Sequence, residues 1–449
     1  MSMINNALSG AIAAQAALST NSQNIANAMT PGYTRQGVLL NSVLSGASGQ
    51  GAAGSGVTVS ALLRFSDGYK SQQMWQAAAS LGHFSAGQPY LNQLEQVMSD
   101  DTSNVNQGLD AFFAALNAAS VEPDSAPLRA QVLTSAEGLA RRFNSMQQLL
   151  SNQTRAVNEQ QAAAAKQING YASDIALLNK QIAAGRASGI NVSGLLDARD
   201  QRIDALSGLV GLQVVAQADG TANVSLKNGQ PLVIGSEAAT ASIDTGTGVM
   251  TLQFAGSSFE VKDGELGGQL GGLRALLRDV VAPMQTRLKD LAATLATEVN
   301  DTLAAGQDMA GNPGLALFNA VGSDGRMSIN AGLKPEQLAF ARDGSSAGNS
   351  ENLAELIALR DSAQVNGVQL GDVYTQIVGR LGVQSQQNIA GEKTAQTVRD
   401  QSEESWKSTS GVNQDEEAIN LMQFKQMYEA NMKVVAVANE LFDSLLAMA

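Results

Sequence analysis

The chain contains no cysteine, which excludes disulfides, thiolate metal sites and thiol catalysis. It is also compatible with a protein that must stay unfolded and unlinked while crossing a secretion channel. Aromatic residues make up only 4% of its 449 residues although 44% are hydrophobic, so the apolar content lies mostly in Ala, Leu, Val and Ile. Small side chains of this kind favour long, closely packed helices over a bulky core. Positive charge is scarce. With 28 Lys and Arg against 41 Asp and Glu, the net charge is −13, which argues against a nucleic-acid binder and against adsorption to an anionic membrane. No stretch reaches the roughly 18 apolar residues of a membrane span. The length allows two or three domains.

Charge is missing altogether from the first 34 residues: Arg35 is the first charged side chain and Arg64 the next. Without Lys or Arg and with only short apolar runs, Met1 to Thr34 is not expected to be a cleavable signal peptide. An apolar stripe of Ile4, Ala7, Leu8, Ala11, Leu18 and Ile25 instead steps largely by three or four, as a helix seam does. A helix without charge on any side is expected to be buried among protein surfaces, in its own core or among neighbours. The other end mirrors it. Leu421, Phe424, Tyr428, Asn431, Val435, Ala438, Phe442 and Leu445 form a seam of steps of three and four. Asp415, Glu416 and Glu417 stand at its start, where the helix dipole favours negative charge.

Between the ends, a seam from Leu139 to Ile182 predicts a helix about 65 Å long. The seam runs through Val157, Gln160, Ala164, Ile168, Tyr171, Ile175 and Leu178, with a stutter between Ala164 and Ile168. Leu212–Ala216, Ala222–Leu226, Pro231–Ile234, Thr251–Phe254 and Phe259–Val261 read as short strands, with hairpin turns at Asp219-Gly220 and Asn228-Gly229. Five glycines between Gly264 and Gly272 suggest a hinge. Leu273 to Ala305 is then helical, with Pro283 starting or kinking a segment, residues 306–347 are rich in Gly, Asn and Ser, and helix resumes from Ser350. The expected fold is mainly α with an inserted β domain, its long antiparallel helices formed by packing of the N- and C-terminal halves.

Catalytic patterns fail on context. Gly49 to Gly54 spells GxGxxG but leads into strand-like Val57-Thr58-Val59 instead of a helix. Gly344 to Gly348 spells GxSxG without a buried strand before it, and the sole histidine, His83, lies upstream. Asp197, Asp200 and Asp204 share one helix face, but Arg199 and Arg202 interleave with them, predicting ordinary helix ion pairs. No catalytic constellation, cofactor site or metal site survives, so no small-molecule substrate is expected.

Two terminal motifs carry a resemblance. Asn24-Ile25-Ala26-Asn27 followed by Thr30-Pro31-Gly32-Tyr33-Thr34-Arg35-Gln36 is similar to the N-terminal signature of flagellar axial proteins, and the TPGYTRQ ending resembles the flagellar hook-associated protein 1 family. Ser410 to Glu417 (SGVNQDEE), Tyr428 to Asn431 and Ala438 to Asp443 resemble the same family's C-terminal signature. Gly56 to Asp67, Gly194 to Asp200 and Asn312 to Phe318 agree in the expected order. The nearest alternative is another axial protein (rod, hook or second junction subunit), against which these two endings argue. Many members carry a further β domain after the position of Phe318, for which this chain has no room.

The resemblance implies a structural, non-enzymatic subunit exported by the flagellar type III apparatus. It would leave the cytoplasm unfolded, be held at its C-terminal helix by an export chaperone, and join a ring of its own copies at the hook–filament junction outside the cell. The hook protein and the second junction protein would be its neighbours. The implied layout has residues 1–42 pairing with 402–449 as an inner part, 43–207 completed by 350–401 as a helical part, and 208–349 as a β-containing insert. Assembly contacts would fall on Ile4, Leu8, Leu18, Asn24, Ile25, Asn27, Pro31, Gly32 and Tyr33, and on Leu421, Phe424, Tyr428, Asn431, Val435, Ala438, Phe442 and Leu445.

Overall fold

The structure, a computed structural model, describes residues 2–43, 55–101, 104–343 and 348–448. The two glycine-rich patterns at 49–54 and 344–347 lie outside the described residues. Helix α1 (Ser2–Ala26) packs against α10 (Gln414–Met448) at the other end of the chain. The inward face of α1 is built from Ala7, Gly10, Ala11, Ala13, Ala14 and Ala17. These small residues let the two backbones approach closely, and a Cβ on Gly10 would sit 2.5 Å from Asn431 Oδ1.

After α1, strands β1 (Gln36–Ser42) and β2 (Val57–Arg64) form an antiparallel hairpin with a bulge at Leu39/Leu40. The body begins with α2 (Gly68–Ser99), capped by the Asp67 carboxylate, followed by α3 (Val105–Val121). Helix α4 (Ala126–Ala187) has 62 residues and is about 93 Å long, starting thirteen residues before the predicted rod. Helix α5 (Ser193–Leu209) leads into a four-stranded antiparallel sheet of β3 (Leu212–Ala216), β4 (Ala222–Leu226), β5 (Pro231–Ile234) and β6 (Glu237–Ala238). A three-stranded sheet of β7 (Thr240–Ile243), β8 (Met250–Phe254) and β9 (Ser257–Val261) follows. Helix α6 (Gly268–Ala275) runs through one π-helical turn (Leu276–Val281) into α7 (Ala282–Ala304), whose second residue is Pro283. The helix is continuous here, with Ala282 N–H donating five residues back to Leu277, so Pro283, which has no N–H, falls where the π-turn has already shifted the ladder. Helix α8 (Glu351–Ser362), the small hairpin β10 (Gln364–Val365) and β11 (Val368–Gln369), and α9 (Leu370–Ser410) return the chain to α10. Among the described residues no helix is long and apolar enough to cross a membrane.

Two cores result. The larger joins α3, α4, α7, α8 and α9 through residues such as Phe112, Phe143, Leu291, Leu356 and Tyr374. The smaller packs both sheets on the C-terminal half of α4, with Trp75, Ile168 and Ile175 meeting Val224 and Leu252. The 208–349 stretch is thereby divided by packing, because Leu273 to Phe340 contribute their buried side chains to the larger core. Residues 306–343 wrap that core with almost no regular structure, and buried backbone needs hydrogen-bond partners. Asparagine side chains supply several. Asn300 binds the N–H groups of Leu317 and Phe318, Asn144 exchanges two bonds with Met327, and Asn352 donates to Thr302 and Ala339 carbonyls.

After Val157 the α4 seam keeps Ala164, Ile168, Ile175 and Ile182 as predicted but departs at three positions. Gln161, Ala172 and Asn179 are buried where Gln160, Tyr171 and Leu178 were expected. At Asn179 the reason is polar. Asn179 is fully buried because its amide donates to Ala222 and Gly235 carbonyls and accepts from Ala222 N–H, and Asn169 likewise exchanges two bonds with Ala241. These bonds pin each sheet to the helix, and apolar periodicity cannot reveal them.

Candidate functional site

The terminal helices meet the body at a polar joint. Where α1 ends, the Asn24 carboxamide donates to the Gln36 carbonyl at 2.8 Å and to Glu417 Oε2 at 3.2 Å. Its oxygen accepts from the Tyr33 hydroxyl at 2.9 Å and from Gln36 N–H at 3.0 Å. Asn21, one turn earlier, donates to both the carbonyl and the carboxylate of Glu417. Arg35 lies 2.7 Å from Glu417 and 2.8 Å from Glu416, while its guanidinium sits over the Phe65 ring at 5.3 Å. Burial, aided by the negative charges of Asp197 and Glu417, pushes the Tyr33 phenol up to about 12.

A second layer ties this joint to α5. Arg64 bridges Asp197 at 2.7 Å and Asp200 at 2.8 Å, and Asp197 also accepts from Thr34 N–H. Gln201 donates to the Pro31 carbonyl beneath the loop. Gly32 has φ +71, as expected for the turn that follows the helix, and a Cβ there would strike Gln201. The expected local pairing of the three aspartates needs correction. Only Arg199–Asp200 is local, whereas Asp197 and Asp200 serve Arg64, Asp204 receives a bidentate Arg399, and Arg202 pairs with Asp174. Among the described residues no group of three or more His, Asp or Glu could hold a metal ion.

Outside the joint, the predicted residues divide into inward and outward sets. On α10, Phe424, Tyr428, Asn431 and Val435 are half-buried and Ala438 is buried, continuing the line that begins at Glu417. On α1 the predicted stripe does not form one inward line. Ala7 and Ala11 are buried and Ile4 and Leu18 are half-buried, but Leu8 is 48% exposed and Ile25 also faces out. Ile12, 56% exposed, extends the outward set. Asn27 is half-buried and caps locally, while Pro31 is exposed. Leu421 is exposed at the edge of the seam, and Phe442 is 57% exposed because of the register. Asn21 opposite Glu417 and Gly10 opposite Asn431 place the start of α1 near Ala438, so the last turns of α10 run past it. The Leu445 side chain lies outside the described residues. The outward faces of both helices thus carry Leu8, Ile12, Ile419 and Met422, while the overhanging last turns of α10 expose Leu441 and Phe442.

The joint contains residues that periodicity missed: Asn21, Arg35, Arg64, Asp197, Asp200 and Glu417. One signal was present. Arg35 and Arg64 are the first two charges of the chain, and both are spent there. Glu417, read as one of three dipole acids, is in fact buried.

Comparison with known proteins agrees with this arrangement. Residues 4–34 match the flagella basal body rod protein family, and residues 408–448 match the flagellar basal body rod FlgEFG protein C-terminal family. Paired ends of this kind define a flagellar axial structural protein. Residues 91–318, just over half the chain, match the family described as the flagellar hook-associated protein FlgK helical domain, and the chain belongs to that family. Flagellar hook-associated protein 1 of Salmonella typhimurium is 28% identical over 549 positions covering 99% of both chains. The protein of that name from Bacillus subtilis is 27% identical over 485 positions, covering 97% of this chain and 95% of its own. Because 549 positions exceed the 449 residues here, roughly 100 positions of the Salmonella alignment have no counterpart in this chain. The solved structure of the flagellar hook junction protein FlgK from Burkholderia pseudomallei superposes with TM-score 0.67 at 19% identity. It covers 75% of this chain and all of that one, a likeness of fold. The relatives are structural proteins, and this chain is a structural component rather than an enzyme.

Proposed function

We propose that the protein is the adaptor at the hook–filament junction, polymerising through its terminal helices. The observation that carries this reading is the apolar outer surface of the α1–α10 pair. Leu8, Ile12, Ile419 and Met422 face solvent on helix turns whose inner faces are already filled, and Leu441 and Phe442 are bare on the overhanging last turns of α10. Exposed apolar surface of this extent marks an association site. Neighbouring subunits would cover it, giving an inner tube of paired helices, with the helical body as the next shell and the two sheets outermost. Export proceeds through the flagellar type III apparatus in an unfolded state, for which a chain without cysteines is suited. A chaperone holds the C-terminal helix in the cytoplasm, and the protein ends outside the cell between the hook protein and the second junction protein.

Deletion of the gene tests the reading by electron microscopy of the cell surface. Cells should build basal bodies and hooks of normal appearance yet carry no filaments, with flagellin released as monomer into the medium. Filaments on such cells overturn the junction assignment, and cells without hooks place the protein in the rod or hook class.

A further inference from the structure

A groove of about 390 Å³ lies between the start of α7 and the N-terminal third of α9, beside the π-helical turn. Its floor is apolar, with Val280, Met284, Ile377 and Leu381 buried and Val383 59% exposed at the rim. Arg287 and Arg380 flank it. In a chain of net charge −13, these two arginines make no hydrogen bond or ion pair among the described residues. The rim carboxylate Asp279 is already engaged by Arg278. Two unpaired guanidinium groups over an apolar floor fit a knob that carries two carboxylates around a small apolar side chain.

The chain itself presents such a knob. At the α3–α4 corner, Val121 is 80% exposed, and Glu122 and Asp124 are exposed and make no salt bridge among the described residues, although the Asp124 charge also acts on the buried Arg129 guanidinium. We propose that the Val121–Asp124 corner of one copy seats in the Arg287/Arg380 groove of a second copy, a reading that rests on the assembly proposed above. Within one chain the two features cannot meet. The groove adjoins α4 near Thr154, whose hydroxyl accepts from Gln285, and the corner lies at the start of the same helix. At 1.5 Å per residue the separation is roughly 40 Å. Knob and groove are therefore different patches, and meeting head to tail they propagate from copy to copy as a ring or helix, as an axial subunit requires, whereas a reciprocal pair would stop at a closed dimer.

A chain without native cysteine makes the test direct. A Val121→Cys, Val383→Cys double variant is assembled in cells, flagella are isolated and oxidised, and the protein is followed by immunoblot. A ladder of dimers and higher species is expected, with neither single variant giving one. Adding Arg287→Glu and Arg380→Glu should reduce the cross-linked fraction at least tenfold, and Glu122→Arg with Asp124→Arg in the same chain should restore it. Circular dichroism of the purified variants controls for folding. Motile cells whose double variant stays monomeric on oxidation overturn the contact while leaving the junction reading intact. A cross-linked dimer from either single variant overturns it equally, since a chain with one cysteine can link only like patches.

Discussion

The Asn24 carboxamide, 1% exposed, makes four hydrogen bonds to Tyr33, both polar groups of the Gln36 backbone, and Glu417. Removing it leaves those partners buried without it, at a cost of about 1–3 kcal/mol. Asn24→Ala should therefore raise amide exchange across α1 and the start of α10, with the body's protection unchanged. Equal protection of the terminal helices in the variant contradicts the joint. Tyr33 adds a pH signature. In the folded chain its phenol holds its proton to about 12, against an ordinary value of 10.0. Its contribution is fully present below pH 10 and is lost as pH rises from 10 to about 12. Tyr374, also pushed up to about 12 by burial, titrates in the same window. Tyr33→Phe should thus flatten, without abolishing, the alkaline fall in thermal stability, and an unchanged slope from pH 10 to 12 refutes the assignment. Asn24 and Tyr33 were legible because they stand in a local motif. Their partner Glu417 was not, because it lies 393 residues further on and nothing in the spacing of either segment encodes the pairing.

The α1–α10 pair separates intramolecular packing from assembly at the level of the element. Val435 faces α1, so Val435→Asp places an unpaired charge against the seam at a cost of a few kcal/mol. It should lower helical content in the purified monomer. Leu8 faces outward, so Leu8→Asp should leave the monomer's circular dichroism unchanged while blocking incorporation into flagella. Secretion is assayed separately for both. Normal motility of the Leu8→Asp strain sinks the outward face as an assembly surface. Sequence periodicity located both helices but merged the two faces of α1, because alanine is apolar enough to count in a stripe and small enough to face either way. In α4 the same method also placed Ala164, Ile168, Ile175 and Ile182 and missed by one residue only at Gln160, Tyr171 and Leu178, the last because the buried Asn179 overrides apolar spacing. The strands were legible from β-branched runs and turn glycines. The wrap of residues 306–343 was not, since its hydrogen bonds go to side chains of distant helices.

For the whole molecule, the two sheets form a removable unit in the chain but not in the packing. Their entrance and exit adjoin, with Gly211 N–H donating to the Leu266 carbonyl at 2.7 Å, so joining the two by a short linker adds little loop-closure cost. The sheets nevertheless cover the side of α4 that carries Asn169, Ala172, Ala176 and Asn179, and their excision leaves both asparagines without their partners. Replacing residues 212–265 with a short linker should therefore keep the terminal pair and the larger core. Thermal stability should fall and the soluble yield should drop, because an apolar strip some three turns long is bared on α4. Changing Ala172 and Ala176, which share the sheet-bonded side of α4 with Asn169 and Asn179, to Lys in the excised chain should restore solubility, since that side would then face water. If the outermost placement of the sheets is right, this repaired chain still supports filaments, with any loss confined to mechanical strength under shear. Absence of filaments from cells that secrete the repaired chain normally gives the sheets a part in the junction contacts themselves.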